Sequence, residues 1–263
     1  MTKTFLYEGN PIRYLISGKG KPVLLLHGFG EDGAVWNEQV SFLQHRFQFI
    51  VPDLPGSGGS PMIRDMSMEG MAEVVHAVIH EEGIDACPVI GHSMGGYVTL
   101  ALVEKYRNHV SAFGLFHSTA YPDKEEKKAT RRKGIDFIRQ HGAFEFLKTT
   151  TPNLFSSIFK EQNPGTAETF IDGLKDFKPE ALIAYYEAMI RRPDRTAALQ
   201  KAAVPVLFIM GKYDTAIPMD DILQQCYLPG ISYIHVLQRS GHMGMMEEKE
   251  ITNRVLEEFL LQT

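Results

Sequence analysis

Short apolar runs alternate with amphipathic helical patterns along the first 120 residues of the chain. Continuous apolar runs of about four to eight residues are typical of strands buried on both faces, whereas apolar residues three and four apart favour helices. The pattern predicts strands at 12–17, 22–27, 49–52, 87–90 and 110–116. It predicts helices at 36–47, 68–82 and 94–106. This alternation indicates a parallel sheet with helices on both faces.

The alternation stops at residue 121 and resumes at residue 204. The intervening segment has helical patterns broken by glycine and proline, and it contains no convincing strand. After it come predicted strands at 204–210 and 232–237 and a C-terminal amphipathic helix at 251–261. The chain is therefore predicted to form one discontinuous α/β domain, 1–120 and 204–263, with a helical insertion at 121–203.

Charge and apolar content narrow the class of protein. The chain has 27 Lys+Arg and 32 Asp+Glu, a formal net charge of −5, whereas nucleic-acid binding needs a concentrated basic surface. The longest apolar runs, 23–26 and 204–210, fall far short of the ~20 residues that span a bilayer. The N-terminus lacks the apolar run of a secretory signal. These features predict a cytoplasmic protein with no nucleic-acid partner and no membrane span.

The two cysteines, Cys87 and Cys226, are too few for a metal cluster or a disulfide framework. They suit a reducing compartment, in agreement with a cytoplasmic location. Cys87 lies in a predicted strand and Cys226 in a predicted helix, so neither is expected to act as a nucleophile.

The sharpest chemical signal is a glycine-flanked serine between a predicted strand and a predicted helix. Gly91, Ser93 and Gly95 belong to G-H-S-M-G, which matches the G-x-S-x-G pattern of a nucleophile elbow. The strand 87–90 ends here and the helix begins at Met94, as the strand–turn–helix geometry of the elbow requires. Such a turn places the serine next to a helix N-terminus, whose dipole favours developing negative charge. The alternative interpretation is a glycine-rich turn that contains the serine by chance.

Further landmarks follow in a fixed order. His-Gly-Phe-Gly at 27–30 follows a strand, D-L-P-G-S-G-G-S occupies 53–60, and the serine motif comes third. An acid and a histidine then follow predicted strands near the C-terminus. With these motifs in this order, nearly the whole chain resembles the α/β-hydrolase family, in its serine-dependent form with a helical cap. The resemblance implies a mostly parallel sheet of about eight strands flanked by helices, with 121–203 as the inserted cap.

A serine hydroxyl needs a general base, and the chain offers ten histidines. His242 is the candidate, because it follows the strand 232–237 by a short turn and so lies at a strand's carboxyl edge. His27 and His92 flank motif glycines and are expected to be structural. His117 follows a strand beside the expected cap hinge and could line the pocket.

The acid that orients this base is predicted to be Asp214. It follows the strand 204–210 in G-K-Y-D, and the resemblance implies a G-x-x-D motif with a nearby proline, here Pro218. Asp214 would hold the tautomer of the histidine and stabilise its imidazolium, in the chain order serine, aspartate, histidine. Asp220 and Asp221 are fallback acids, although an exposed pair at the start of the next helix explains them more simply.

Acyl transfer also needs donors for the developing oxyanion. The main-chain N–H of Met94, directly after the serine, is one expected donor. The resemblance implies that the other is the main-chain N–H of Phe29, beside the motif glycine Gly28. Because both donors are main-chain groups, side-chain substitution would not remove them cleanly.

The insertion is rich in phenylalanine, with Phe137, Phe144, Phe146, Phe155, Phe159, Phe170 and Phe177. Most of these rings are expected to pack the cap helices, while some would line an apolar acyl pocket above Ser93. The pair Arg191 and Arg192 could bind a substrate carboxylate or, more simply, complement a helix C-terminus.

The sequence predicts a serine hydrolase that cleaves a small carboxylic ester through an acyl-enzyme on Ser93, with no metal and no organic cofactor. The loop 53–60 lacks the P-loop and dinucleotide fingerprints, so no nucleotide is expected. Carbon–carbon bond hydrolases, enol-lactonases and perhydrolases of the same fold stay open. The first group often has tryptophan where this chain has Met243. A non-catalytic receptor that keeps the triad to hold a small ligand is the alternative from another class.

Overall fold

The apolar runs of the sequence form the centre of one sheet in the computed structural model, which describes residues 1–263. Its strands are β1 Thr2–Tyr7, β2 Asn10–Gly18, β3 Lys21–Leu26, β4 Phe47–Pro52, β5 Cys87–His92, β6 Val110–Phe116, β7 Val206–Gly211 and β8 Ser232–Leu237. They lie in the order β1-β2-β4-β3-β5-β6-β7-β8. The pairs β1–β2 and β2–β4 are antiparallel and every other pair is parallel. The predicted α/β class with a mostly parallel sheet is confirmed.

Helices cover the sheet and fill the insertion. In chain order they are α1 Asn37–Leu43, α2 Met68–Glu81, α3 Met94–Tyr106, α4 Glu125–His141, α5 Ala143–Thr150, α6 Ser157–Gln162, α7 Thr166–Asp172, α8 Pro179–Arg191, α9 Thr196–Gln200, α10 Met219–Leu223, α11 Gly244–Glu247 and α12 Lys249–Leu261. Short 3₁₀ turns occur at Gly33–Trp36, Arg107–His109 and Thr151–Leu154. Helices α4 to α9 lie between β6 and β7, where the sequence predicts helices and no strand. None of the helices combines the length and the apolar character that crossing a bilayer requires.

Two apolar clusters, one on each face of the sheet, explain why the strand sequences are continuously apolar. Leu24 and Leu26 of β3 belong to the larger cluster, whereas Val23 and Leu25 belong to the other. Alternate residues of a strand point to opposite faces, so a strand covered on both sides must be apolar at every position. Because β3, β5, β6, β7 and β8 run parallel, their carboxyl ends lie at the same edge of the sheet, between the two helical layers.

Three local predictions differ from the structure. The edge strand β1 was not predicted, because its alternate residues are exposed and it has no continuous apolar run. Phe47, placed at the end of a helix, begins β4, since a buried ring fits either element where a helix and a strand are separated by a short turn. Cys226, placed in a helix, lies in a turn beyond the short α10. These differences leave the carboxyl edge of the sheet unchanged.

Candidate active site

Ser93 occupies a strained turn between the central strand β5 and helix α3. Its backbone has φ 49° and ψ −113°, a left-handed conformation that residues with a side chain rarely adopt. The main-chain N–H of Ser93 donates to the carbonyl of Phe116 at 2.9 Å. Its carbonyl accepts from the N–H of Gly96 at 3.0 Å and from the hydroxyl of Ser118 at 2.7 Å. These bonds hold the strained turn and leave the half-buried Ser93 hydroxyl without a hydrogen-bond partner in the protein.

The glycines of the motif permit this turn by their lack of a side chain. A Cβ on Gly91 would lie 2.3 Å from the carbonyl oxygen of Gly95. A Cβ on Gly95 would lie 2.6 Å from the carbonyl oxygens of both Leu26 and His27. Both contacts are with main-chain atoms, which cannot move aside, so strand and helix approach this closely only with glycine at these positions.

Asp214 and His242, far apart in the sequence, are hydrogen-bonded to each other. The Nδ1 atom of His242 lies 2.7 Å from Oδ2 of Asp214, and both side chains are buried. The other carboxylate oxygen, Oδ1, accepts from the N–H groups of Ala216 and Ile217 at 2.8 and 2.9 Å. Burial alone would raise the pKa of Asp214, but the two histidines on Oδ2 hold this pKa far below its ordinary value. Asp214 is therefore expected to be an ionised acceptor near neutral pH.

The second histidine on this carboxylate is His117, for which the sequence left open a place in the lining of the pocket. Its side chain is instead fully buried, and its Nδ1 atom lies 3.0 Å from Oδ2 of Asp214. Burial lowers the pKa of His117 to about 4, against the opposing effect of its bond to Asp214. The sequence predicted the strand that precedes His117. The direction of the His117 side chain depends on β7, which pairs with β6 only in the folded chain.

Hydrogen bonds on both sides fix the loop that carries His242. The N–H of His242 donates to the carbonyl of Leu154, in the insertion, at 2.7 Å. The carboxylate of Glu247 accepts from the N–H groups of Gly241 and Met243 at 2.9 and 3.0 Å. Burial dominates the environment of Glu247 and raises its pKa despite these donors. The loop is therefore held from its own chain and from the inserted helices.

A buried ion pair connects three loops of the site. Oε2 of Glu31 accepts from the N–H of Gly28 at 2.7 Å and lies 2.9 Å from Nδ1 of His92. The Nε2 atom of His92 donates to the carbonyl of His242 at 3.0 Å. Burial opposes ionisation of both partners, but their mutual attraction outweighs it, lowering the pKa of Glu31 and raising that of His92. The 27–30 loop, the serine turn and the histidine loop are thus joined through one imidazolium.

The two predicted oxyanion donors lie in main-chain positions suited to that role. Met94 is the first residue of α3, so its N–H lies outside the intrahelical hydrogen-bond pattern. The N–H of Phe29 donates to no acceptor of the protein, whereas that of the preceding Gly28 is bonded to Glu31. The ring of Phe29 stacks on Tyr186 of α8 at 4.3 Å between centroids. The loop is therefore covered by the inserted helices.

A buried charged cluster joins the beginning and the end of the insertion. Arg192 forms an ion pair with Asp123 at 2.9 Å and donates to the carbonyls of Met189 and Tyr121, each at 3.0 Å. Burial would raise the pKa of Asp123, but Arg131 and Arg192 lower it. Since Met189 lies in the last turn of α8, the position of Arg192 agrees with the predicted helix C-terminus role and not with a substrate carboxylate.

His117, Asp214 and His242 also place three ligand-type atoms within 4.8 Å, as a metal site would. Both Nδ1 atoms, however, are at hydrogen-bonding distance from the same carboxylate oxygen. Each nitrogen therefore carries a proton towards Asp214 and directs no lone pair at a cation. The cluster is a hydrogen-bonded aspartate between two imidazoles.

An eight-stranded, mostly parallel sheet with a strained serine turn after a central strand defines a hydrolase of the α/β class. The chain belongs to the alpha/beta hydrolase family, whose model matches residues 23–254. A thermophilic esterase from Thermogutta terrifontis superimposes with a TM-score of 0.92 and 29% sequence identity, covering 100% of this chain and 98% of the esterase. The family, the fold and the esterase resemblance predicted from the sequence are thereby confirmed.

Two curated relatives extend over nearly the whole chain. The pimeloyl-(acyl-carrier protein) methyl ester esterase of Aeromonas hydrophila is 28% identical over 255 residues, which cover 92% of this chain and 96% of the esterase. The 2-hydroxy-6-oxo-6-(2'-aminophenyl)hexa-2,4-dienoic acid hydrolase of Metapseudomonas resinovorans is 24% identical over 256 residues, 92% of this chain and 84% of that enzyme. The chain is therefore similar to hydrolases of esters and to a hydrolase of a dienoic acid.

Proposed function

We propose that this protein is a serine hydrolase that cleaves a small carboxylic ester through an acyl-enzyme on Ser93. The observation that carries the proposal is a strained serine turn whose neighbouring residue is bonded to the loop of a buried histidine–aspartate couple. Ser93 has φ 49° at the end of the central strand, and the adjacent His92 bonds to the main chain of His242. His242 is in turn held by Asp214 at 2.7 Å. A nucleophile activated by an oriented base needs this combination.

In the proposed mechanism, the hydroxyl oxygen of Ser93 attacks the ester carbonyl while Nε2 of His242 takes the hydroxyl proton. The N–H groups of Phe29 and Met94 donate to the tetrahedral oxyanion. Collapse of this intermediate breaks the bond to the alkoxy group, which leaves as an alcohol with the proton from His242. Water, deprotonated by His242, then attacks the acyl-enzyme, releasing the carboxylic acid and restoring Ser93. Asp214 stays ionised throughout and stabilises the imidazolium.

Aromatic rings beside the oxyanion loop support an apolar acyl group. Phe29 stacks on Tyr186 and meets Phe146 and Tyr185 edge-on, each at 6.3 Å between ring centroids. Phe146, Tyr185 and Tyr186 belong to the segment 121–203, which we propose acts as a cap over the site. The methyl ester named for the Aeromonas relative supports a short alcohol as the leaving group.

The test is the variant Ser93→Ala, with the exposed Ser41→Ala on α1 as its matched control. We expect Ser93→Ala to lower kcat for p-nitrophenyl acetate by at least about a thousandfold and to abolish labelling by a fluorophosphonate probe. Ser41→Ala should behave as the wild type in both assays. Hydrolysis by a folded Ser93→Ala variant at an undiminished rate would refute the proposed nucleophile.

A second candidate is cleavage of a carbon–carbon bond in a dienone acid, which the 24% identical Metapseudomonas hydrolase favours. Turnover of such an acid in preference to aliphatic esters and lactones would replace the ester assignment while keeping Ser93. Labelling of Ser93 without turnover of any ester, lactone or thioester would instead support a small-ligand receptor. The cytoplasmic location, the absence of a cofactor and the small-molecule partner stay predictions.

A further inference from the structure

The catalytic carboxylate of the proposed mechanism has a second imidazole on the same oxygen. Nδ1 of His117 lies 3.0 Å from Oδ2 of Asp214, and Nδ1 of His242 lies 2.7 Å from that atom. The other oxygen accepts from the main-chain N–H groups of Ala216 and Ile217. Four donors therefore surround Asp214, and His117 is the one side-chain donor among them that the proposed reaction does not use.

The other end of the His117 ring is closed off by glycine. Its Nε2 atom is buried and has no hydrogen-bond partner. A Cβ on Gly244 would lie 2.6 Å from this nitrogen, and a Cβ on Gly211 would lie 2.8 Å from Cε1 of the same ring. Two glycine backbones thus pack directly against the ring, which leaves a proton on Nε2 with no acceptor to reach. The bond to Asp214 forms only when the single proton is on Nδ1, because an ionised carboxylate only accepts.

The groups around this ring reinforce that assignment. Asp214 is hydrogen-bonded to it, and the rings of His242 and of His92, which is paired with Glu31, lie 5.5 and 6.1 Å away between centroids. From the insertion, Lys127 of α4 donates to the carbonyl of Ala216, two residues after Asp214, at 3.0 Å. A positive charge on His117 would face the imidazolium of His92 and, during turnover, that of His242. Burial lowers the pKa of His117 to about 4, in agreement with a neutral ring.

We propose that His117 is a neutral positioning residue, permanently protonated on Nδ1, that fixes Oδ2 of Asp214 and moderates its hold on His242. The inference rests on the proposed roles of Asp214 and His242. A neutral donor orients the carboxylate without cancelling its charge, as second partners of ligating and catalytic groups commonly do. Since Oδ2 divides its acceptor strength between two imidazoles, removing one donor leaves more for the other. His117 thus affects both the direction and the basicity of the catalytic carboxylate.

The tautomer is tested directly on the unmodified protein by ¹⁵N-histidine NMR. We expect the resonances of His117 to show a neutral ring with its proton on Nδ1 from pH 8 to pH 5. A ring with its proton on Nε2, or one that becomes cationic near its ordinary pKa of 6.5, would overturn the proposal. The measurement needs no variant to fold and no substrate to turn over.

The catalytic effect is tested by His117→Asn and His117→Leu. The amide nitrogen of asparagine coincides with Nδ1 and keeps the donor, whereas leucine fills similar space without one. We expect His117→Leu to lower kcat about tenfold with little change in KM, and to move the acid limb of the kcat/KM profile to higher pH. His117→Asn should keep the wild-type limb and most of kcat.

The positive φ of 49° at residue 117 suits asparagine better than leucine. The resulting strain changes stability but not the position of the acid limb, so urea unfolding of both variants separates the two effects. Equal losses of kcat in both variants would contradict the proposal. So would an acid limb of the kcat/KM profile at its wild-type pH in a folded His117→Leu variant. An active Ser93→Ala variant would instead refute the proposed function and leave the NMR result intact.

Discussion

The carboxyl edge of the sheet and the inserted helices are held by different kinds of contact. At the edge, close glycine packing and buried, charged hydrogen bonds fix Ser93, Asp214 and His242. In the insertion, aromatic rings pack against one another, and apart from the buried Asp123 cluster many ion pairs lie on exposed helix faces, such as Arg139–Asp136 and Arg191–Glu187. The edge tolerates little displacement, because each of its groups contacts a neighbour that is itself fixed.

This difference assigns separate roles to the two regions in the proposed enzyme. Reaction geometry must be kept within a fraction of an ångström, which rigid main-chain contacts achieve. An aromatic wall on separate helices can change in shape while the strand ends stay in place. We therefore expect substitutions at the edge to affect stability and kcat, and substitutions in the insertion to affect mainly KM and substrate choice.

The largest contrast in stability should come from adding a methyl group to one glycine in each region. Gly95→Ala puts Cβ 2.6 Å from main-chain oxygens and should destabilise the fold by more than about 3 kcal/mol. Gly173→Ala in the insertion, with φ −68° and its nearest contact at 3.2 Å, should change stability by less than about 0.5 kcal/mol. Urea unfolding of both variants measures the contrast. Equal stability of the two would refute the distinction between the regions.

Removal of a carboxylate charge should give the next largest contrast. Glu31→Gln leaves the buried imidazolium of His92 without its counter-charge, so the free energy of unfolding should fall by about 3 to 5 kcal/mol. Glu69→Gln breaks the ion pair between α2 and Arg195, but Glu69 is 51% exposed, so its loss should stay below about 1 kcal/mol. Chemical unfolding and kcat of both variants provide the comparison. A larger loss in Glu69→Gln would mean that the buried pair does not organise the edge.

As the pH falls, contacts at the carboxyl edge of the sheet should lose stability at a higher pH than those in the insertion. The pKa of His117 is about 4 in the folded protein and 6.5 ordinarily, so between these values the unfolded chain binds more protons. Stability should therefore fall as the pH drops from 6.5 to 4, by about 3 kcal/mol in total. The insertion's Asp123 has a lowered pKa, so its contribution is lost only below its ordinary value of 3.8.

Unfolding midpoints at several pH values test this order. His117→Leu removes the titrating group, so its stability should depend less on pH between 6.5 and 4 than that of the wild type. An unchanged slope would show that the acid sensitivity arises elsewhere. On the alkaline side, the raised pKa of His92 predicts a loss of stability above 6.5, as the imidazolium bound to Glu31 loses its proton.

The smallest expected effect is in the aromatic wall. Tyr186→Leu removes the stack on Phe29 and should cost about 1 kcal/mol of stability. Because the main-chain N–H of Phe29 stays in place, kcat for p-nitrophenyl acetate should change little, while KM for bulkier acyl groups rises. Tyr227→Leu, at a side chain 79% exposed, is the matched control and should leave both constants unchanged. A large loss of kcat would mean that the insertion also fixes the oxyanion loop.

The sequence predicted most of the sheet and the class of site because those features depend on local pattern. Helix α3 and strand β8 begin and end where the periodicity places them. Ser93 lies between a strand and a helix, as the glycine-flanked serine motif predicted. The edge strand β1 was missed, since half of its residues are exposed and it has no continuous apolar signal.

Groups that act through tertiary contacts gave no sequence signal. Glu31 follows a motif loop but belongs to no motif, and its partner His92 is 61 residues away. The sequence left open a place for His117 in the pocket lining, because the strand before it ends beside the expected cap hinge, yet its ring turns inward to Asp214, 97 residues later. Nothing in the local pattern around either residue indicates which charge it will meet.

The sequence by itself determined an α/β sheet, an inserted helical segment and a serine turn, because periodicity and glycine spacing act over neighbouring residues. Only the tertiary structure decided that Asp214 carries two imidazoles and that Glu31 and His92 join three loops. The physical reason is burial: charges far apart in the chain come together only when the sheet forms. Their protonation then depends on partners and on exclusion from water that no local pattern specifies.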